Sequence, residues 1–82
     1  MTITRKQLRE AYITRIMHER NTNRGDAKHR AKAFWDRVSQ GDIGNIRPRE
    51  HPRFFAVING LNITSAEAIH IIRTGKPVKK VE

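Results

Sequence analysis

The lysine and arginine side chains of this sequence, by their number and clustering, indicate one chemical task, the binding of anions. The 82 residues include 17 Lys and Arg against 8 Asp and Glu, and the formal net charge is +9. Most of the excess lies between Arg5 and Arg37, whereas Leu61 to Ile72 carries no Lys or Arg. Such a field attracts polyanions, and nucleic acid is the commonest polyanion that a soluble protein meets. The sequence therefore predicts nucleic acid as the main partner, with DNA favoured over RNA.

Two basic groups are the candidates for phosphate contacts. The first, on a predicted helical hairpin, is Arg24, Lys28, Arg30 and Lys32. The second, in the last turn of the final predicted helix and in the tail that follows, is Arg73, Lys76, Lys79 and Lys80. Arg5 and Arg9 also share one face of the first predicted helix. Such rows can follow a phosphate backbone without reading base sequence, although Lys and Arg are also ordinary residues of a solvated helix surface.

The segment from Phe55 to Ile72 resembles a DNA-reading helix-turn-helix in its spacing. Such motifs join two helices by a tight turn, often with glycine, and the first residues of the second helix reach the bases. The candidates for base contacts are the residues that open this helix: Thr64, Ser65 and Glu67. However, the helix offers no Arg, Asn or Gln at its start, the side chains that usually read guanine or adenine. Its isoleucines could instead fill the core of a small bundle.

Catalytic chemistry has no matching pattern in the sequence. The four histidines lie on separate segments and lack the spacing of four that places two zinc ligands on one helix. Because there is no cysteine, disulfides and thiolate metal sites are excluded. Neither a nucleophile turn nor a glycine loop for phosphate is present. The sequence thus predicts a protein that is not an enzyme and needs no metal or other cofactor.

Capping residues and apolar periodicity predict an all-α domain of three or four helices. Thr4 and Gln7 have the form of a capping box, and the apolar stripe that follows predicts a helix from about Arg5 to Arg20. Asp26 can cap a second helix that ends before Gly41. Because a short turn joins the two helices, they should form an antiparallel or steeply crossed hairpin.

A C-terminal helix pair is expected to pack on this hairpin. Thr64 and Glu67 form a second capping box, which predicts a last helix that continues to Thr74. The stretch Phe54–Ile63 is ambiguous, because Asn59-Gly60 between apolar runs is also typical of a β-hairpin. We favour a helix, since proline at its start and glycine at its end suit one, and the hairpin stays the alternative.

Length and hydropathy set the remaining expectations. Residues 1–75 should form one helical domain, followed by a short basic tail at 76–82. No apolar stretch approaches the roughly 20 residues that span a bilayer, and the N-terminus lacks the apolar core of a signal peptide. We therefore predict a cytoplasmic protein without a membrane partner. A chain this short buries only a small core, and a dimer interface would add buried area, so a homodimer is a further alternative.

The main alternative is a protein-interaction module, a small inhibitor or adaptor such as a mobile element could encode. It would dock on an acidic protein partner, with basic residues for steering and an aromatic anchor. The candidate anchors are Trp35, Phe54 and Phe55. Adjacent aromatic residues cannot both point inward from one helix. We therefore expect one residue of Phe34/Trp35 and one of Phe54/Phe55 to be partly exposed.

Overall fold

Three of the four helices in the described part of the chain follow residues whose side chains satisfy free backbone groups. The computed structural model describes residues 2–79, in which the strand β1 (Thr2–Ile3) is followed by the helices α1 (Arg5–Arg20), α2 (Arg24–Ser39), α3 (Pro52–Gly60) and α4 (Ser65–Thr74), and by the strand β2 (Val78–Lys79). The predicted all-α class, a helical hairpin with a C-terminal helix pair, is confirmed.

Both predicted capping boxes are formed. The Thr4 hydroxyl accepts a hydrogen bond from the Gln7 backbone N–H at 3.1 Å, and the Gln7 side chain accepts one from the Thr4 N–H at 2.8 Å. Thr64 and Glu67 repeat this exchange at 3.1 and 2.9 Å. Each box satisfies two backbone donors that a helix leaves free at its first turn. This explains why α1 and α4 begin where the sequence predicts.

The start of α2 differs from the prediction. Asn23, not Asp26, is the N-cap, because its side-chain oxygen accepts from the Asp26 backbone N–H at 2.8 Å. The prediction that Asp26 caps the helix is therefore wrong, and α2 begins at Arg24, three residues earlier than a helix capped by Asp26 would. Asp26 still contributes to this end of the helix, where a negative charge interacts favourably with the helix dipole.

The ambiguous stretch is helical, and the β-hairpin alternative for Phe54–Ile63 is wrong. In α3, Phe54, Val57 and Ile58 have helical spacing and are all buried, which one face of a short two-stranded ribbon could not achieve. A four-residue turn then leads to α4, and the two helices are bent by 94°. This angle falls in the range of helix-turn-helix units.

The core lies where the α1–α2 hairpin meets the α3–α4 pair. Its centre is aromatic: the Phe54 ring lies 4.8 Å from the rings of Tyr12 and Phe34, and 6.4 Å from that of Trp35. Trp35 and Phe54 are buried, whereas Phe34 and Phe55 are partly exposed, as predicted for the two adjacent pairs.

The connection between α2 and α3 is held against the core by Ile43 and Ile46, which are both buried. Gly41 adopts the left-handed φ of +90° just past α2, a conformation that a glycine reaches without a steric penalty.

Two short strands join the ends of the described chain. Thr2 pairs with Lys79 and Ile3 with Val78 in an antiparallel ribbon, and Ile3 is only 1% exposed. This ribbon is absent from the expectations above, and it orders residues 78 and 79 of the predicted tail. Lys80 lies outside the described residues.

Among residues 2–79, no single helix has the length and apolar content to cross a membrane. The α3–α4 pair has sufficient length and apolar content only when the two helices are counted as one segment, although they are sharply bent relative to each other.

Candidate nucleic-acid interface

Three of the four basic candidates on α2 are engaged with carboxylates. Arg24 Nη2 contacts both carboxylate oxygens of Glu10 on α1 at 2.7 Å. Within α2, Arg30 Nε donates to Asp26 at 3.0 Å, and Lys32 Nζ to Asp36 at 2.7 Å. All these side chains are near the half-exposed level. Exposed ion pairs contribute only about 0–1 kcal/mol each, so a phosphate could compete for these cations.

Two of these carboxylates, Glu10 and Asp26, have pKa values below their ordinary values. The hydrogen bond from Arg24 lowers the pKa of Glu10, and the nearby charges of Arg24, Lys6 and Arg9 lower it further. The pKa of Asp26 is lowered first by the hydrogen bond from Arg30 and then by that from Thr22. Both groups are therefore negative at neutral pH and offset part of the basic field.

Arg73, a candidate of the C-terminal group, has a role within the fold. Its Nε donates to the Val38 carbonyl at 3.1 Å and its Nη2 to the Ile43 carbonyl at 3.2 Å. The Val38 carbonyl lies in the last turn of α2 and also accepts from the Gly41 backbone N–H at 3.1 Å, and the Ile43 carbonyl lies in the connection after the helix. Arg73 thus ties α4 to the C-terminal end of α2.

The three candidates for base contacts use their polar side-chain atoms within the protein. Thr64 and Glu67 form the capping box of α4, and the Ser65 hydroxyl donates to the Asn45 side chain at 2.9 Å. The exposed face of α4 further consists of Ala66, His70, Arg73 and Thr74. Although α3 and α4 have a helix-turn-helix angle, the start of α4 does not present free side chains for base edges.

The remaining candidates carry free charges. Lys28, Lys76 and Lys79 are exposed, and within residues 2–79 no carboxylate lies within 4 Å of their ammonium groups. Lys28 has basic residues, Arg24 and Lys32, one turn away on both sides, so its own helix offers no acidic neighbour at that spacing.

Three cations of α1 join these lysines. Arg5, Lys6 and Arg9 are exposed and likewise have no ion-pair partner in the described part of the chain. The Arg5 guanidinium packs over the end of α4, since a Cβ added to Gly75 would lie 3.1 Å from its Nη1. Arg5 therefore lies beside the segment that carries Lys76, and the ribbon brings Lys79 beside Thr2. We call the six free cations the basic surface: Arg5, Lys6, Arg9, Lys28, Lys76 and Lys79.

Between α1 and α2 the basic surface borders an open groove of about 610 Å³. We call it the α1–α2 groove. Its lining residues are Arg5, Lys6, Arg9 and Glu10 of α1, and Ala31, Lys32, Trp35 and Asp36 of α2. Four cations against two carboxylates leave an excess of two positive charges.

A second cleft of about 390 Å³ lies on another side of α1, and we call it the Tyr12 cleft. Its lining residues are Tyr12, Arg15, Glu19, Phe34, Glu50, His51, Pro52, Arg53 and Phe54. Two cations face two carboxylates there, so its charge is balanced. Arg15 Nε donates to Glu19 at 2.6 Å, which lowers the pKa of Glu19, and Arg53 Nε lies 3.5 Å from the same carboxylate. Burial raises the pKa of Tyr12.

Neither a metal-binding cluster nor a known relative indicates what the candidate site binds. Within residues 2–79, no three His, Asp or Glu side chains come close enough to hold a metal ion. Comparison with protein-family models, curated proteins and solved structures found no match to this chain. The candidate site therefore depends on geometry and charge alone.

Proposed function

We propose that this protein binds nucleic acid through its phosphates, as a small accessory or regulatory protein that does not read base sequence. The observation that carries the proposal is the basic surface: six exposed cations with no carboxylate within 4 Å among residues 2–79, contributed by α1, α2 and the residues after α4. Free Lys and Arg side chains at the surface can replace the counterions of a phosphate backbone, and this exchange supplies most of non-specific binding.

The state of α4 supports binding without base readout. Its candidate reading residues are engaged in caps and in the contact with Asn45, and Arg73 is engaged with backbone carbonyls. Phosphate contacts position a protein on nucleic acid, whereas contacts with base edges provide sequence preference. The cations that can contact phosphates are available, whereas the side chains that could contact bases are engaged within the protein. The affinity for nucleic acid should therefore depend on salt concentration much more than on base sequence.

The test measures binding of labelled oligonucleotides of two unrelated sequences across a salt series, by fluorescence anisotropy. We expect similar affinities for both sequences and a steep loss of affinity with salt. In the triple variant Lys28→Gln, Lys76→Gln, Lys79→Gln, the logarithmic salt slope on duplex DNA should fall by about 0.9 for each phosphate that the variant no longer neutralises.

The matched control removes three exposed cations elsewhere, with Arg20→Gln, Arg37→Gln and Arg49→Gln. None of these arginines has an ion-pair partner among residues 2–79, so the control removes the same charge without breaking a described pair. Equal effects of the two triple variants would contradict a localised surface. Undetectable binding of single-stranded and duplex nucleic acid at low salt would overturn the proposal. Retention of one acidic protein after nuclease treatment would then favour the interaction module.

A further inference from the structure

We infer that the α1–α2 groove takes a single strand of nucleic acid, with the phosphates between its two rims and the sugars and bases toward Trp35. This inference rests on the proposed function and adds the form of the ligand and its place. Proteins that bind single strands combine a positive groove along the backbone with an aromatic side chain that contacts bases. The groove provides the positive charge, and the small exposed part of Trp35 lies at its floor.

The width of the groove favours a single strand. Two packed helices have axes about 8–10 Å apart, so the groove between them is narrow. One strand can enter it, whereas a duplex is too wide and touches only the rims. The duplex would therefore not reach the apolar floor, which is formed by Ala31 and Trp35.

The charges along the groove are spaced to meet a phosphate backbone. Arg5 and Arg9 lie one turn apart on the α1 rim, with an axial separation of about 6 Å. On the α2 side Lys32 lines the groove, and Lys28 precedes it by one turn of the helix. A polynucleotide carries one charge at every residue, so a strand between the rims presents phosphates to both rows. The two acidic residues of the groove, Glu10 and Asp36, are already paired with cations of α2, which limits their repulsion.

Trp35 offers a donor that the protein itself does not use. This side chain lines the groove and is only 7% exposed. Its indole N–H has no hydrogen-bond partner among residues 2–79, and it is not sealed from solvent. A buried tryptophan N–H usually finds an acceptor. A phosphate or base oxygen in the groove would supply one.

Trp35 also makes the test specific to the site, because it is the single tryptophan of the chain. We would titrate the 82-residue chain with a ten-nucleotide oligothymidylate, with the duplex of that strand and oligoadenylate, and with polyglutamate. We expect the single strand to change the emission of Trp35, and the duplex and polyglutamate to leave it unchanged. The variant Lys6→Gln with Arg9→Gln should weaken single-strand binding about tenfold and reduce the salt slope by about 1.4.

The control pair is Arg20→Gln with Arg49→Gln, which lowers the net charge equally and should weaken binding less than about twofold. Circular dichroism of both variants checks that the fold is kept. The inference is overturned if the duplex changes the emission of Trp35 equally, or if the two pairs weaken binding equally. It is also overturned if polyglutamate reproduces the change at similar affinity, since the groove would then accept an acidic polypeptide. A protein that binds no nucleic acid at all would instead contradict the proposed function.

Discussion

The α1–α2 groove and the Tyr12 cleft are built from the same kinds of residue and differ in how their charges are neutralised. Both have arginines and glutamates from α1 and an aromatic side chain from α2. In the cleft, Glu19 interacts with both Arg15 and Arg53. In the groove, Lys6 and Arg9 lie near Glu10, but its carboxylate is bound by Arg24. The positions of the carboxylates, more than the number of cations, therefore determine where positive charge is left without a close partner.

The first prediction compares the free energy of unfolding after a change in the aromatic core, which borders the Tyr12 cleft, with that after a change in the α1–α2 groove. Phe54→Ala should destabilise the protein by about 3–5 kcal/mol, because it removes a ring that contacts Tyr12, Phe34 and Trp35 in the core. In contrast, Lys6→Gln with Arg9→Gln at the groove should change the free energy of unfolding by less than about 1 kcal/mol. Urea unfolding followed by circular dichroism measures both.

Phe55→Ala is the matched control for Phe54→Ala, since its side chain is on the same helix but partly exposed. Phe55→Ala should lower the free energy of unfolding by less than half as much as Phe54→Ala does. If the charge variant at the groove destabilised the protein as much as Phe54→Ala, the groove cations would be part of the core architecture, contrary to their description as a binding surface.

The next prediction separates a cation used by the fold from one that is free. Arg73→Gln should lower the free energy of unfolding by about 1–2 kcal/mol, because it breaks hydrogen bonds to the Val38 and Ile43 carbonyls. Lys76→Gln removes the same charge and should leave stability nearly unchanged. Conversely, Lys76→Gln should reduce the salt slope of nucleic-acid binding more than Arg73→Gln does. A reversed order of the slopes would place Arg73 among the phosphate contacts.

The last prediction removes one carboxylate from each region in turn and compares the affinities for a single strand, where we expect a small change. Glu10→Gln removes a carboxylate from the groove and releases Arg24, so affinity for a single strand should rise about two- to fivefold, the range of one exposed ion pair. Glu19→Gln makes the same change in the Tyr12 cleft and should leave this affinity within about 1.5-fold. Anisotropy at low salt measures both variants. A larger gain from Glu19→Gln would place the strand in the cleft.

The sequence predicts the helices well because local signals determine them. The Thr4 and Thr64 capping boxes are complete within four residues, and Gly75 adopts the left-handed conformation that ends α4. The error at Asp26 is also local, since Asn23 and Asp26 are both good caps. The ribbon escapes prediction because two-residue strands have no periodicity, and their pairing joins opposite ends of the sequence.

The candidate site is only partly predictable, again for a physical reason. The partners of Arg30 and Lys32 lie four residues away on the same helix, so their pairing could have been read from the sequence. Arg9 and Lys28 have no acidic residue three or four positions away, which is a usable sign of a free charge. In contrast, Arg24 meets Glu10 and Arg73 meets Val38 only after the helices have packed. Whether such a cation is free depends on tertiary structure.

The ribbon of β1 and β2 also affects how the basic surface behaves over time. Contacts between distant parts of a chain tend to form late, and the ends of a structure tend to open first. Fraying of these two strands would move Lys79 away from Arg5 while the four helices stay folded. A polyanion that contacts both Lys79 and Arg5 would then stabilise the pairing of β1 and β2, and the paired strands would bind the polyanion more tightly. Ligand occupancy and the closing of the chain ends would thus be coupled in one equilibrium.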